Sequence, residues 1–140
     1  MITASIVPKK ERSEFYPSIT NNFPYLKRAV CKVSFSIFEG YNGACWEFIK
    51  LSNGGYFAYP DINTLITVVS PDSKDKHELS AEAAGLCVWW FVFGSVSRLA
   101  SEYNDSVGAT FFTEHQRKLI EFANEHAEKD KIFHVLHQAV

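Results

Sequence analysis

Two histidines near the C-terminus have the spacing of a metal-binding pair. His134 and His137 lie three residues apart, so on a helix they share one face. A zinc site needs three or four ligands, and neither an HExxH pattern nor a pair of closely spaced cysteines supplies the others. We therefore predict a solvated histidine pair and no metal site.

Two further histidines each follow a glutamate, in Glu114-His115 and Glu125-His126. Neighbouring side chains on a helix point about 100° apart, so the members of each pair diverge. We predict surface charges at both places rather than acid–base machinery.

Three cysteines, at positions 31, 45 and 87, could supply a thiol nucleophile. Their odd number and the lack of a CxxC pattern are typical of reduced, buried cysteines in a cytosolic protein. Cys45 falls in a predicted strand and Cys87 in the most apolar predicted helix, where burial raises the pKa of a thiol and makes it unreactive. The sequence also lacks the GxSxG, Walker and GxGxxG patterns, so no catalytic constellation is visible.

The charge balance argues against direct nucleic-acid chemistry. The chain has 14 Lys and Arg against 16 Asp and Glu, a net charge of −2. A nucleic-acid-binding face needs clustered basic residues, and a protein that imitates DNA needs a dense acidic field. Lys50 is the single basic residue between Tyr41 and Ile66. We therefore predict that the aromatic side chains of this stretch pack in the core and do not stack on bases.

A β-hairpin is the clearest element of the chain. Residues 44–51 alternate, with Trp46 and Phe48 predicted on one face and Cys45, Ile49 and Leu51 on the other. Ser52-Asn53-Gly54-Gly55 fits a tight turn, because Asn-Gly tolerates positive φ. The chain returns at 56–59, and residues 65–69 and 77–79 predict a third strand and a short fourth strand at an edge.

Helices are predicted on both sides of these strands. Residues 8–16 predict a short helix that Pro17 and Pro24 follow as breaks, and 25–38 could be helix or strand, with length favouring helix. Residues 81–96 are apolar on most helix faces. This run is too short to span a membrane, and the charged residues Glu82 and Arg98 lie near its ends. We therefore predict a buried core helix capped by Ser80.

The C-terminal part predicts two more helices. Thr113 and Gln116 fit a capping box at the start of the first. Its buried stripe is predicted to hold Leu119, Ile120, Ala123 and Ala127. Residues 131–138 predict a last short helix. The fold class is therefore α+β, one compact domain over residues 1–140 with a small antiparallel β-meander of three or four strands packed between N-terminal and C-terminal helices.

Several strings resemble the ArdB/KlcA antirestriction family. They include Tyr41-Asn42-Gly43, Trp46-Glu47-Phe48, Leu51 to Gly55 with Pro60-Asp61, and Leu79 to Gly85. The C-terminal pattern of His115, Leu119, Phe122-Ala123, His126, Glu128 and Ile132-Phe133 is similar too. The chain departs from the family at Gly43-Ala44-Cys45-Trp46, where Gly-Gly-Tyr-Trp is expected, and in its Trp89-Trp90 pair.

The resemblance implies a small cytoplasmic protein, carried by plasmids or other mobile elements, that protects incoming DNA from type I restriction in the host. It implies neither DNA mimicry, nor catalysis, nor a cofactor, and the N-terminus shows no signal-peptide pattern. The expected partner is a host protein, such as the type I restriction complex or an associated factor. We expect neither strong direct nucleic-acid binding nor a membrane location, and a monomer or weak dimer.

Loop residues on a rigid sheet commonly carry binding, which gives a first hypothesis for the contact surface. It consists of Tyr41, Asn42, Ser52, Asn53, Gly54, Gly55, Tyr56 and Asp61. The alternative hypothesis is a small cytosolic enzyme, a hydrolase or a modifier of a host component, that uses Cys45 or a histidine. Direct binding to DNA is the third and weakest hypothesis.

Overall fold

Short runs of alternating residues and long apolar runs divide the chain into strands and helices, and the computed structural model describes residues 1–137. The strands are β1 (Ala4–Ile6), β2 (Trp46–Leu51), β3 (Tyr56–Pro60), β4 (Ile66–Val69) and β5 (Lys76–Leu79). The α-helices are α1 (Phe15–Ile19), α2 (Phe23–Ile37), α3 (Ala81–Glu102), α4 (Ser106–Asn124) and α5 (Lys129–Leu136). The α+β class is confirmed.

The strands form two small antiparallel sheets, so the predicted single meander is wrong. One sheet has the order β1-β2-β3 and the other is the hairpin β4-β5. β1 was not predicted from the sequence. It has only three residues, all of them exposed, and they show no alternation of buried and exposed positions. β4 does not pair with β3. It begins after Leu65 and meets the end of α2 instead, where the Glu39 N–H donates to the Thr67 carbonyl over 3.0 Å.

The β2-β3 hairpin has the predicted register of faces. Ile49 lies opposite Phe57, and both are buried in the core. Trp46 and Phe48 lie on the other face, where the Phe48 ring stacks on Phe15 with centroids 4.6 Å apart. The turn places Gly54 at φ +88°, which glycine adopts without strain. Cys45 precedes β2 and is exposed, which corrects its predicted place in the strand.

α3 is the core helix, as predicted. The Ser80 side chain accepts a hydrogen bond from the Ala83 N–H and so caps the helix. By length and composition α3 could also cross a membrane, and half of its most apolar window is buried inside the protein. Trp89 and Phe93 have no exposed surface, and β3, α2 and α4 pack around the helix.

α4 starts seven residues before the predicted capping box, at Ser106 instead of Thr113. Its N-cap is Asp105, whose carboxylate accepts a hydrogen bond from the Gly108 N–H over 2.9 Å. Gln116, placed at the helix start by the sequence prediction, instead donates to the Trp90 carbonyl on α3. In the predicted stripe, Leu119 and Ala123 are buried, Ile120 is half-buried, and Ala127 is exposed beyond the end of the helix.

The terminal helices also differ from their predicted bounds. The predicted helix 8–16 is a 3-10 helix (Lys9–Glu14) that continues into α1. Pro17 and Pro24 do not break the chain, because each lies in the first turn of a helix, where the missing N–H has no intrahelical partner to lose. α2 confirms the helical interpretation of residues 25–38. α5 ends at Leu136, and Gln138 of the predicted last helix lies outside the described residues.

Candidate functional site

The structure divides the predicted contact surface between the two ends of the β2-β3 hairpin. Trp46 pairs with Pro60, so Tyr41, Asn42 and Asp61 lie at the open end. The turn, Ser52–Gly55, lies at the other end of a six-residue strand, about 20 Å away. The eight residues therefore do not form one continuous surface.

The turn uses its polar groups inside the protein. The Asn53 amide donates to the Lys118 carbonyl over 3.0 Å and to the Glu121 carboxylate over 2.9 Å, and its oxygen accepts the Gly55 N–H. The Ser52 hydroxyl accepts from the Thr3 N–H over 2.8 Å. These bonds hold the turn against α4 and β1, which gives Ser52 and Asn53 a structural role that the sequence did not reveal.

We expect Asn53→Ala to lower the free energy of unfolding by about 1–3 kcal/mol, because it removes two hydrogen bonds to α4 and leaves the Gly55 N–H without its acceptor. Chemical denaturation measures the loss. Asn42→Ala is the matched control, since Asn42 is exposed and lies at the open end of the hairpin. Equal stability of the two variants would contradict the role given to Asn53.

Tyr56 lies beside a buried histidine, which corrects the prediction that His115 carries surface charge. His115 is 5% exposed, and three aromatic rings surround its imidazole: Tyr56 at 5.4 Å, Phe93 at 5.4 Å and Phe111 at 4.6 Å between centroids. Burial lowers the pKa of His115 to about 4, and nearby Lys118 adds to the effect while Glu114 opposes it. His115 is therefore neutral in the folded protein at neutral pH.

This burial predicts a loss of stability in acid. The unfolded chain takes up the His115 proton near pH 6.5, whereas the folded protein resists it down to a pKa of about 4. The free energy of unfolding should therefore be unaffected by this group above pH 6.5 and fall by up to about 1.4 kcal/mol per pH unit between these two values. Denaturation of wild type and His115→Leu at pH 7 and pH 5 tests this. The wild type should lose more stability than the variant, and equal losses would exclude His115 as the cause.

His126 is also not a free surface charge. Its Nε2 lies 2.8 Å from the Glu82 carboxylate, and its Nδ1 accepts the Glu128 N–H over 3.0 Å. The Glu128 carboxylate in turn accepts the Ser80 N–H over 2.9 Å. These hydrogen bonds join the start of α3 to the loop before α5. His126 therefore has a structural role next to the Ser80 cap.

The C-terminal histidines lie beside the β4-β5 hairpin. His134 Nε2 is 3.1 Å from the Asp75 carboxylate, and the His77 ring lies 4.4 Å from the His134 ring between centroids. Both His134 and His137 keep more than 40% of their side chains exposed. Among residues 1–137, no group of three His, Cys, Asp or Glu side chains is placed to hold a metal ion.

The cysteines differ from the prediction that all three are buried. Cys31 and Cys45 are exposed, and only Cys87 is inside the core, where burial raises the pKa of its thiol. Within residues 1–137, no histidine forms a hydrogen bond to any of the three thiols. The geometry expected of an activated cysteine nucleophile is thus not present in this part of the chain.

The open end of the hairpin leads into a groove of about 340 Å³ between α2 and β2. We call it the aromatic groove and define it by Tyr16, Lys27, Phe35, Tyr41, Trp46 and Phe48. The Trp46 indole N–H donates to the Tyr41 hydroxyl over 3.0 Å, and the Phe35 ring meets the Tyr41 ring edge-on at 5.0 Å. Phe35 is 55% exposed, which is unusual for so large an apolar side chain.

The aromatic groove carries little charge. Lys27 lies over the Tyr16 ring at 5.6 Å and is the one charged residue among those that line the groove within the described chain. Burial raises the pKa of Tyr16, with smaller contributions from Cys31 and Tyr41, so its hydroxyl stays protonated. Exposed aromatic side chains with few charges are typical of the centre of protein–protein interfaces.

Sequence reasoning found Tyr41 but missed the other main members of this groove. Tyr16 and Phe35 come from helices before the hairpin, and no local pattern links them to Trp46. The one available signal was Phe35 itself. On a helix its position falls outside the face of Leu26, Val30 and Ile37, which predicts an exposed aromatic ring.

Residues 39–137 match the family model described as "Antirestriction protein". "Antirestriction protein KlcA" of Escherichia coli is 28% identical over 96% of this chain and 94% of its own length. A second protein of that description, also from Escherichia coli, is 30% identical over 69% of this chain and 64% of its own.

One solved structure superposes with a TM-score of 0.84 and 29% identity, over 96% of this chain and 94% of the other. Its description states that the KlcA and ArdB proteins show a novel fold and antirestriction activity against Type I DNA restriction systems in vivo but not in vitro.

Proposed function

This chain belongs to the antirestriction protein family, and on that premise we propose that it protects incoming DNA from type I restriction by binding a host protein. The observation that carries the proposal is the likeness over nearly the whole chain to a structure described with that activity. The partner would be the type I restriction complex or a factor associated with it, met in the cytoplasm.

The difference between activity in vivo and in vitro described for the KlcA and ArdB proteins favours a protein contact as the mechanism of this chain. A DNA mimic carries its inhibitory charge wherever it meets the restriction enzyme, whereas a contact with a cellular factor needs that factor. The net charge of −2 also leaves this chain without the acidic field of a mimic. Both observations support a mechanism that depends on a component of the living cell.

We propose the aromatic groove as the contact surface. Phe35, Tyr41 and Trp46 offer apolar area and phenol and indole groups that are already held in place by each other. Rigid aromatic side chains give affinity at a low cost in conformational entropy. Asn42 and Asp61, at the same end of the hairpin, would form its polar rim. The turn residues 52–55 would support the sheet from the opposite end.

No arrangement in the described chain favours the enzyme hypothesis. Cys45 is accessible, but an accessible thiol without a base is a weak nucleophile at neutral pH. We therefore propose binding and not catalysis. We propose that the protein binds as a monomer or a weak dimer.

Plating of unmodified phage on a host with an active type I system tests the proposal. Expression of the protein should raise the plating efficiency toward that on the same host without restriction. Phage already modified by the host is the control, and its plating should not change. Unchanged plating of unmodified phage, with folded protein shown to be present, would overturn the proposed function.

A further inference from the structure

A second groove lies on the other side of α2, between α2, α3 and α4. Its volume is about 510 Å³. We call it the helix groove and define it by Val33, Ile37, Trp90, Phe91, Arg98 and Gln116. No residue lines both grooves.

The walls of the helix groove are held in place by internal hydrogen bonds. The Gln116 amide donates to the Trp90 carbonyl over 2.9 Å, and the Ser97 hydroxyl lies 2.9 Å from the Thr113 hydroxyl. Gly94 allows this closeness, because a Cβ there would come within 2.7 Å of the Gln116 amide nitrogen. The groove is thus formed before any partner arrives, which reduces the entropy lost on binding.

The groove presents one positive charge, and its two aromatic residues lie about two helical turns earlier on α3, at Trp90 and Phe91. Arg98 is exposed, and its nearest polar contact is the Ser95 hydroxyl at 3.4 Å. Within residues 1–137 no carboxylate lies within 4 Å of its guanidinium, and no Asp, Glu or Lys lines the groove. Trp90 and Phe91 are each half-buried, with centroids 5.3 Å apart. An unpaired guanidinium and apolar rings about two helical turns apart complement a segment that carries a carboxylate and, at a similar spacing, an apolar side chain.

The composition and shape of the groove favour a protein ligand. Trp, Phe and Arg are enriched at interface cores and are present in the lining, whereas the depleted charged residues Lys, Glu and Asp are absent from it. Serine is also depleted at interfaces, and it contributes Ser36, Ser95 and Ser97 to the lining. The groove is partly open to solvent, so it does not enclose a ligand as small-molecule sites do. A groove between packed helices is also the shape into which partner helices and extended segments dock.

We infer that the helix groove binds an acidic segment of the protein partner, with a carboxylate on Arg98 and an apolar side chain further along the same segment on Trp90 and Phe91. This inference rests on the proposed function, because the segment belongs to the host protein through which restriction is blocked. It adds the chemical class of the partner segment and a second contact, separate from the aromatic groove.

Charge variants of Arg98 in the plating assay test the inference. Arg98→Glu should reduce protection at least about tenfold, since it faces the partner carboxylate with a like charge. Arg98→Lys keeps the charge and should stay within a fewfold of wild type, whereas Arg98→Met keeps the apolar stem alone and should lose protection. Lys32→Glu makes the same change of charge on an exposed part of α2 outside both grooves and should leave protection unchanged.

Each outcome decides the inference. Full protection by Arg98→Glu or Arg98→Met would overturn it, because the positive charge would then be unused. Equal losses in Arg98→Glu and Lys32→Glu would overturn it too, since any surface charge would then have the same effect. Melting temperatures identify a variant that fails to fold, and Arg98→Lys and Arg98→Met then still decide between charge and shape. Failure of the wild type to protect would instead refute the proposed function.

Discussion

Replacing Gly85 with alanine is expected to destabilise the protein by about 2–4 kcal/mol. The added methyl group would overlap atoms of β3, whose backbone cannot move away. A Cβ at this position would lie 2.5 Å from the Tyr59 Cβ and 2.6 Å from the Tyr59 Cα on β3. Alanine in place of glycine inside a helix normally stabilises by up to about 1 kcal/mol. A destabilising Gly85→Ala therefore reports the close approach of α3 to β3, and chemical denaturation measures it.

Gly94→Ala is the matched control on the same helix. Its Cβ would displace the end of the Gln116 side chain and cost its hydrogen bond to the Trp90 carbonyl, whereas alanine in the helix gains up to about 1 kcal/mol, so the net change in the free energy of unfolding should stay within about 1 kcal/mol. A Gly85→Ala variant as stable as wild type would contradict the direct packing of α3 on the β3 backbone. This packing fixes the position of the β2-β3 hairpin relative to α3, and therefore the position of the aromatic groove.

Replacing Phe35 with glutamine is expected to abolish most of the antirestriction activity. Truncating an aromatic side chain at the centre of an interface commonly costs 2 kcal/mol or more, which is about a 30-fold loss of affinity. Phe35 is 55% exposed, so the stability of the free protein should change by less than about 0.5 kcal/mol. The plating efficiency of unmodified phage measures the loss.

Tyr103→Gln provides the control for a general effect of exposed aromatic residues. Tyr103 is 77% exposed at the end of α3 and lines neither groove. It should protect as well as wild type at equal expression. Wild-type protection by Phe35→Gln, or the same loss in both variants, would contradict the role of the aromatic groove.

The elements with strong local signals were predictable from the sequence. The apolar run of α3 begins at a serine that caps it, and the Asn-Gly turn between alternating residues predicts the β2-β3 hairpin. Burial of the Trp89 side of α3 followed from an apolar pattern on most helix faces. In these elements local preference and tertiary packing favour the same structure.

The rest depended on contacts between distant segments. β1 is a strand because Ala4–Ile6 pairs with β2, and its three exposed residues have no sequence pattern that predicts this pairing. The sequence also cannot show that β4 leaves β3 and meets the end of α2. His115 was misassigned because its neighbour Glu114 is charged, whereas the burial of the imidazole comes from rings on β3 and α3.

Only the part of the aromatic groove that belongs to the hairpin was predictable from the sequence. Tyr41, Asn42 and Asp61 belong to the open end of the hairpin, where the structure places the groove. Tyr16 and Phe35 reach it only because α1 and α2 fold over β2. The turn residues looked equally suited to binding in the sequence, since a turn that docks on α4 has the same residue types as a turn that is free.

Photo-crosslinking inside the cell tests whether the aromatic groove contacts a host protein. A photoreactive phenylalanine analogue would replace Phe35, and Tyr103 in a control, in cells with an active type I restriction system. We expect the Phe35 variant to protect DNA and to form an adduct with one host protein of the restriction complex or a factor bound to it. The Tyr103 variant should protect DNA without that adduct. A Phe35 variant that protects fully and forms no adduct would show that the aromatic groove is not the contact surface.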